Sequence, residues 1–285
     1  MSAVKKTALW TAAALVGFAA NSLLCRLALG SRQIDAASFT GIRLLSGAVV
    51  LAILVGATRP PGEPRVGGSW ASAAALFAYA AAFSYAYLRL EAGAGALILF
   101  ASVQVTMISW GWLRGERPRA LEWLGLAVAL GGLIALTVPG LAAPDPVGAS
   151  LMAAAGVAWG IYSLRGRSGL RVLASTAGNF ARGLPLGMAL VLVAMPTLHV
   201  TPRGALLAAL SGSLASGVGY SLWYAALPGL PGTRAAVVQL AVPVLAAAGG
   251  VILLGESPTL RLAFSGLAIL GGVALALLGR ASSRS

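Results

Sequence analysis

Charged residues are so sparse in this chain that long uncharged runs survive between them. Nine such runs are Thr7–Cys25, Val66–Leu88, Ala92–Leu113, Trp123–Ala143, Val147–Leu164, Gly183–Pro202, Gly204–Thr233, Ala235–Gly255 and Leu262–Gly279. A bilayer-spanning helix needs about 20 mainly apolar residues, so each run is a candidate span. A tenth, Ala36–Gly56, qualifies with one interior arginine, Arg43, and Gly183–Pro202 extends back toward Ala174 to enclose Arg182. Only 9% of the 285 residues are charged and 59% are hydrophobic, whereas soluble domains carry roughly 25% charge. The expected fold class is an all-α integral membrane protein. Its ten transmembrane helices fall near residues 7–29, 36–56, 69–88, 93–113, 121–139, 146–164, 174–196, 204–227, 233–254 and 260–279.

The net charge of +13 is a topology signal and not a nucleic-acid footprint. With the N-terminus cytoplasmic, the inner segments hold 13 of the 20 basic residues, Lys5, Lys6, Arg114, Arg117, Arg119 and Arg165 among them, while the outer loops keep Arg32, Arg89, Arg203 and Arg261. Positive residues gather on the cytoplasmic side, which sets both termini there, in a multi-pass membrane protein. Trp10, Trp70, Trp110, Trp112 and Trp123 fall near the inner helix ends, as an interfacial belt requires, and only Trp159 and Trp223 lie deeper.

The chain is also a duplication. Gly115-Glu116-Arg117-Pro118, followed by Gly131-Gly132, returns as Gly255-Glu256-Ser257-Pro258, followed by Gly271-Gly272. Gly suits the end of one helix and Pro the start of the next. Thr40 pairs with Asn179, Arg43 with Arg182, and Tyr85 with Tyr224 at an offset of 139, which becomes 140 at the Gly-Glu turn. Residues 1–139 form one unit and 146–285 the second, within a single transmembrane domain. Five helices per unit put the second copy into the membrane upside down. Such inverted repeats suit alternating access around a central cavity.

These features resemble the drug/metabolite transporter superfamily in its EamA-type form, over nearly the whole chain. The paired Gly-Glu turns with their glycine doublets, Trp159-Gly160 and the pair Arg43/Arg182 carry the resemblance. The opening Asn21-Ser22-Leu23-Leu24-Cys25-Arg26 and Ile34-Asp35 through Ile42-Arg43 are similar to the YddG-type exporters of aromatic amino acids. That resemblance implies export of aromatic amino acids and related compounds across the inner membrane.

The residues themselves narrow the site. Polar groups inside lipid are costly and usually face the bundle interior, which singles out Asn21 and Gln104 near the midplane. Aromatic stripes at helical spacing form around them: Tyr79 with Phe83, Trp159 with Tyr162, and Tyr220 with Trp223 and Tyr224, while Phe100 lies one turn before Gln104. On helix faces made mostly of Ala and Gly, these side chains are the natural lining for a small amphiphilic cargo. The alternatives are interhelical hydrogen bonding for the amides and packing for the aromatics. Arg43 and Arg182 read either as a gate or carboxylate contact, or as groups bound to helix-end carbonyls and lipid phosphate.

No Asp, Glu or His falls at mid-membrane, and the one histidine, His199, is in a loop. A proton relay would want such groups, so facilitated transport is expected rather than tight proton coupling. An intramembrane enzyme would need a nucleophile with its base or a metal cluster, so neither catalysis nor a cofactor or metal is expected. Exporters of other amino acids or of drugs are the alternatives within the carrier class. The partners implied are a small-molecule substrate and the lipid bilayer, with no nucleic acid.

Overall fold

A computed structural model of the chain describes residues 3–58, 67–115, 120–138, 143–166, 172–226, 230 and 238–281. Ten main helices run through them: α1 Ala3–Gly30, α2 Ala36–Thr58, α3 Trp70–Tyr87, α4 Ala92–Leu113, α5 Ala120–Thr137, α6 Pro146–Gly166, α7 Val172–Val193, α8 Pro202–Ala226, α9 Ala241–Leu254 and α10 Leu260–Ala281. Pairing of the β type among the described residues is limited to one antiparallel bridge, Ile34 to Val200. The first Gly-Glu turn, from Glu116 to Pro118, and the Pro- and Gly-rich break near 228–232 lie outside the described residues, apart from Leu230.

Seven helices, α1, α2 and α4 to α8, are long and apolar enough to cross a membrane. The 18-residue α3 includes Ser72, Tyr79, Ser84, Tyr85 and Tyr87, which lower its hydropathy, and all of these except Tyr85 are buried. α3 is thus a helix whose polar side chains point into the protein instead of into lipid. α4 is almost enclosed by its neighbours, whereas α5 turns mostly outward. Leu45, Val49 and Ile53 of α2 and Leu206 of α8 project from the bundle, as lipid contact requires.

The helix pairings follow the duplication. α2 packs on α7, α4 on α9 and α5 on α10, each helix meeting its own repeat mate. α3 packs on α6 while α1 packs on α8, and α4 on α6 while α1 on α9, which are the same contacts seen from the two copies. The chain is therefore ten helices in two inverted five-helix repeats. Alternating helix direction puts the start of α1 and the end of α10 on one face, called here the first face, and the connections 30–36, 87–92, 193–202 and 254–260, with the end of α5 and the start of α6, on the second.

Carboxylates that looked like loop decoration in the sequence hold helix ends on the second face. Asp35 Oδ1 accepts from Ser38 N at 2.8 Å, and Asp145 Oδ1 from Gly148 N at 2.7 Å. Each binds a donor of the first turn that has no intrahelical partner, and its charge suits the positive end of the helix dipole. Gly255 closes α9 at φ +68°, the left-handed conformation expected of the repeated turn. Two proline positions differ in outcome. Pro185 lies inside α7, while Pro243 follows a turn at Leu240 that interrupts the ninth span, so it sits in a first turn where its missing N–H costs little.

The glycine doublets divide their labour. A Cβ on Gly272 would lie 2.5 Å from the backbone of Ala129 and Gly125, and one on Gly132 would lie 2.9 Å from Ile269 N, while Gly131 and Gly271 meet open space. The second glycine of each doublet thus lets α5 and α10 touch along their backbones. Gly132→Val and Gly272→Val are expected to lose about 1–3 kcal/mol through overpacking. Gly131→Ala and Gly271→Ala should stay within about 0.5 kcal/mol. Thermal unfolding in detergent measures the contrast, and equal effects at both positions of a doublet would refute the seam.

Candidate functional site

Helices α1, α3, α4, α6, α7 and α8 enclose a cavity of about 1190 Å³. All ten residues singled out as substrate-lining reach it: Asn21, Tyr79, Phe83, Phe100, Gln104, Trp159, Tyr162, Tyr220, Trp223 and Tyr224. Gln239 and Asn179, also polar within their spans, line it too.

The aromatic side chains form a connected wall across four helices, α1, α3, α6 and α8. Trp159 of α6 is its centre, with ring centroids 4.8 Å from Tyr79, 5.2 Å from Tyr220 and 5.4 Å from Tyr162. Tyr79 continues to Phe83 at 5.4 Å, and Tyr220 to Phe18 at 5.8 Å. Tilted and edge-to-face pairs at these distances are favourable beyond their area. All six of these side chains line the cavity.

Behind this wall runs a buried polar chain. Ser211 Oγ donates to Asn21 Oδ1 at 2.6 Å, and Asn21 Nδ2 donates to Tyr79 Oη at 3.3 Å. Arg43 Nη2 donates to the same Tyr79 oxygen at 3.0 Å, and Arg43 Nε to Ser216 Oγ at 3.3 Å. Four helices, α1, α2, α3 and α8, are joined this way. The residues Ser211–Val218 of α8 form a π-helical segment, a wider turn common at functional sites. Gly212 in that segment packs against the carbonyl of Arg43, with no room for a Cβ.

The two repeat-paired arginines stand differently. An arginine near a helix end is expected to extend to the lipid boundary, but Arg43 is only 2% exposed and turns inward, because Tyr79, Ser216 and the faces of Tyr79 and Phe83 (5.1 and 5.2 Å) receive it. Arg182 bonds backbone carbonyls: Nη1 donates to Gly67 O at 2.6 Å and to Gly178 O at 3.0 Å. With Asn179 Oδ1 accepting from Ser69 N at 2.9 Å, it fastens the entry to α3 onto α7.

The cavity opens to the first face. Trp110 and Arg114 at the end of α4, Arg165 and Gly166 at the end of α6, and Gly68 and Ser69 before α3 line its mouth. The second face is closed. Asp35 N donates to His199 O at 2.8 Å, Thr201 Oγ1 to Gln33 O at 2.8 Å, and His199 N to Asp35 Oδ2 at 2.9 Å, beside the Ile34–Val200 bridge. Glu256 of the second Gly-Glu turn completes the closure: both carboxylate oxygens accept from Ala92 N, at 2.9 and 3.0 Å, and Arg26 Nε lies 3.4 Å away. A residue read in the sequence as a polar turn anchor therefore ties the second repeat to the N-terminus of α4.

Several lining residues were not singled out in the sequence. Phe18, Ser69, Ser72, Thr176 and Ser216 line the cavity, as does Arg165, whose Nε donates to Ser72 Oγ at 3.1 Å. Serine among Ala and Gly gives no signal of its own, since hydroxyls such as Ser213, Ser221 and Thr106 merely return to the carbonyl four residues back. Arg165 was indistinguishable from the other basic residues of the inner loops. Among the described residues no group of His, Cys, Asp and Glu is placed to hold a metal.

Comparison with known proteins places this architecture. Residues 5–138 and 146–278 each match the EamA-like transporter family. A Pseudomonas aeruginosa protein, "Uncharacterized protein PA1977", is 53% identical over 281 residues, covering 98% of both chains. The "Uncharacterized inner membrane transporter YedA" of Escherichia coli is 25% identical over 180 residues, 62% of this chain and 58% of its own. A crystal structure of another protein shares the fold with TM-score 0.67 at 22% identity, covering 95% of this chain and 97% of that one.

Cys25 offers a reporter of the second-face closure, being fully buried on α1 next to Arg26. Glu256→Ala removes both the ion pair and the helix-end acceptor, so labelling of Cys25 by a permeant maleimide should rise severalfold. An unchanged rate would remove Glu256 from the closure. Glu91 supplies a pH test, since burial first and the charge of Glu256 second raise its pKa above the usual carboxylate value, with Arg26 opposing. A raised carboxyl pKa means the folded state favours the proton, so this contribution is most favourable below the unfolded pKa and is lost as pH rises through the folded one. Glu91→Gln should therefore stabilise the protein at neutral pH and flatten that dependence in thermal unfolding.

Proposed function

The chain belongs to the EamA-like transporter family, and on that premise we propose that it exports small amphiphilic metabolites, chiefly aromatic amino acids. As a member of that family it is a multi-pass membrane transporter of the drug/metabolite type. The observation that carries the finer reading is the wall of Tyr79, Trp159, Tyr162 and Tyr220 lining one cavity together with the amides Asn21 and Gln104. Ring faces suit an aromatic side chain, and the hydroxyl and amide groups suit the polar end of the same molecule.

With the N-terminus cytoplasmic, the first face is the cytoplasmic one, and the cavity stands open on the side from which an exporter loads. Opening the second face requires the Arg26–Glu256–Ala92 contacts and the Asp35–His199 contacts to part. The inverted partner helices would then close the first face. Arg43 and Arg182 serve this cycle as a carboxylate contact and as a fastening of the α3 entry. No Asp, Glu or His is among the cavity-lining residues described, which supports movement down the substrate gradient without stoichiometric proton flux.

Purified protein in sealed liposomes tests the reading through counterflow of labelled phenylalanine. Saturable uptake inhibited by Trp and Tyr, with Thr and choline much weaker, is the expected result; equal rates for Thr and Phe would sink the aromatic assignment. Trp159→Ala and Tyr220→Ala should each lower phenylalanine affinity about three- to tenfold, the equivalent of one aromatic contact. Substrate efflux that drove a fixed proton flux would refute the facilitated mode.

A further inference from the structure

Arg43 carries more charge than its surroundings answer. Its guanidinium has five N–H donors and no acceptor. Nε is taken by Ser216 and Nη2 by Tyr79, both uncharged, while the buried Nη1 has no hydrogen-bond partner among the described residues. Two ion pairs, Arg26 with Glu256 and Arg89 with Asp145, lie near the second face and away from Arg43. Cys25, Tyr79, Tyr220 and Phe83 are the groups around the guanidinium, and none of them is a carboxylate.

Both groups that hold Arg43 line the cavity, so the cation stands one hydrogen bond behind its wall. The remaining charges of the wall have the same sign: Arg114 and Arg165 line the mouth, and no Asp or Glu is among the lining residues described. The space is therefore a positively charged funnel with an under-satisfied guanidinium one hydrogen bond behind its wall. An ammonium group would meet only neutral oxygens and ring faces there, against three cations. A carboxylate would meet a planar donor pair able to bind it through two parallel hydrogen bonds.

We propose that Arg43 is the anion anchor of the cavity, and that the cargo it selects is an aromatic carboxylate whose amino group is dispensable. The assignment rests on the aromatic reading of the cavity and adds the charge that the cargo must carry. Tyr79 Oη is the ligand that gives way: the carboxylate takes Nη1 and Nη2, and the Tyr79 hydroxyl keeps Asn21. Aromatic amino acids enter by their carboxylate, and aryl-alkanoates and 2-oxo acids enter at least as well.

The test measures binding of three probes to the purified full-length protein: 3-phenylpropanoate, L-phenylalanine and phenethylamine, read by ligand-induced thermal stabilisation. The propanoate should bind at least as tightly as phenylalanine, and phenethylamine about tenfold or more weakly, the ratio set by one hydrogen-bonded charge. This ranking needs no variant. Arg43→Gln should abolish the difference between carboxylate and amine while keeping the preference for 3-phenylpropanoate over propanoate, and Arg43→Lys should restore part of it. Equal binding of all three probes overturns the anchor and leaves the aromatic reading standing, as does a ranking that survives Arg43→Gln. If no aromatic probe binds, the aromatic reading falls and the anchor falls with it.

Discussion

A guanidinium buried among four helices sets the terms for the centre of this structure. Arg43 is 2% exposed in a chain built to lie in lipid, and removing such a charge from water without partners costs several kcal/mol. The partners therefore come from everywhere around it. Tyr79 reaches from α3, Ser216 from the π-helical segment of α8, and the aromatic faces of α3 cover what remains. Asn21 and Ser211 extend the chain to α1 and to the far side of α8. Individual hydrogen bonds between membrane helices average about 0.6 kcal/mol, so no single link dominates. Their joint effect is to fix the relative positions of the helices that wall the cavity.

The closure on the second face and the opening on the first express one asymmetry between two similar units. Glu256 bridges α4, α1 and the end of α9, while Arg165, the residue 139 positions after Arg26, donates to Ser72 inside the open mouth. The two halves share a sequence origin and occupy different arrangements. For a pair of inverted units that difference separates a shut face from an open one.

Much of the architecture was legible in the sequence because lipid imposes few options. Uncharged runs marked the helices to within a few residues wherever their ends are described, and the repeated Gly-Glu turn marked the duplication. The aromatic stripes were legible too, since side chains three and four residues apart share a helix face, and here they share the cavity. What the sequence hid were contacts that depend on depth and on neighbouring helices. Arg43 read as an end-placed residue because position along a span says nothing of which side chains wait across the interface. Ser216 and Ser72 looked like small packing residues, and the π-helical turn that brings Ser216 to Arg43 leaves no mark in the local pattern of Ser, Gly and Ala. Glu256 showed its importance by recurring, but its partner Ala92 lies 164 residues away.

Tyr79 belongs to the wall and to the frame at once: its ring packs on Trp159, while its oxygen accepts from both Asn21 and Arg43. A lineage under selection for a wider or differently shaped cargo space could not enlarge this position without loosening four helices. Gln104, Phe100 and Trp159 make no hydrogen bond in that frame. Diversification of cargo within such proteins should therefore pass through α4 and α6, with the α1–α3 and α8 side of the cavity held nearly constant by its own structural duty.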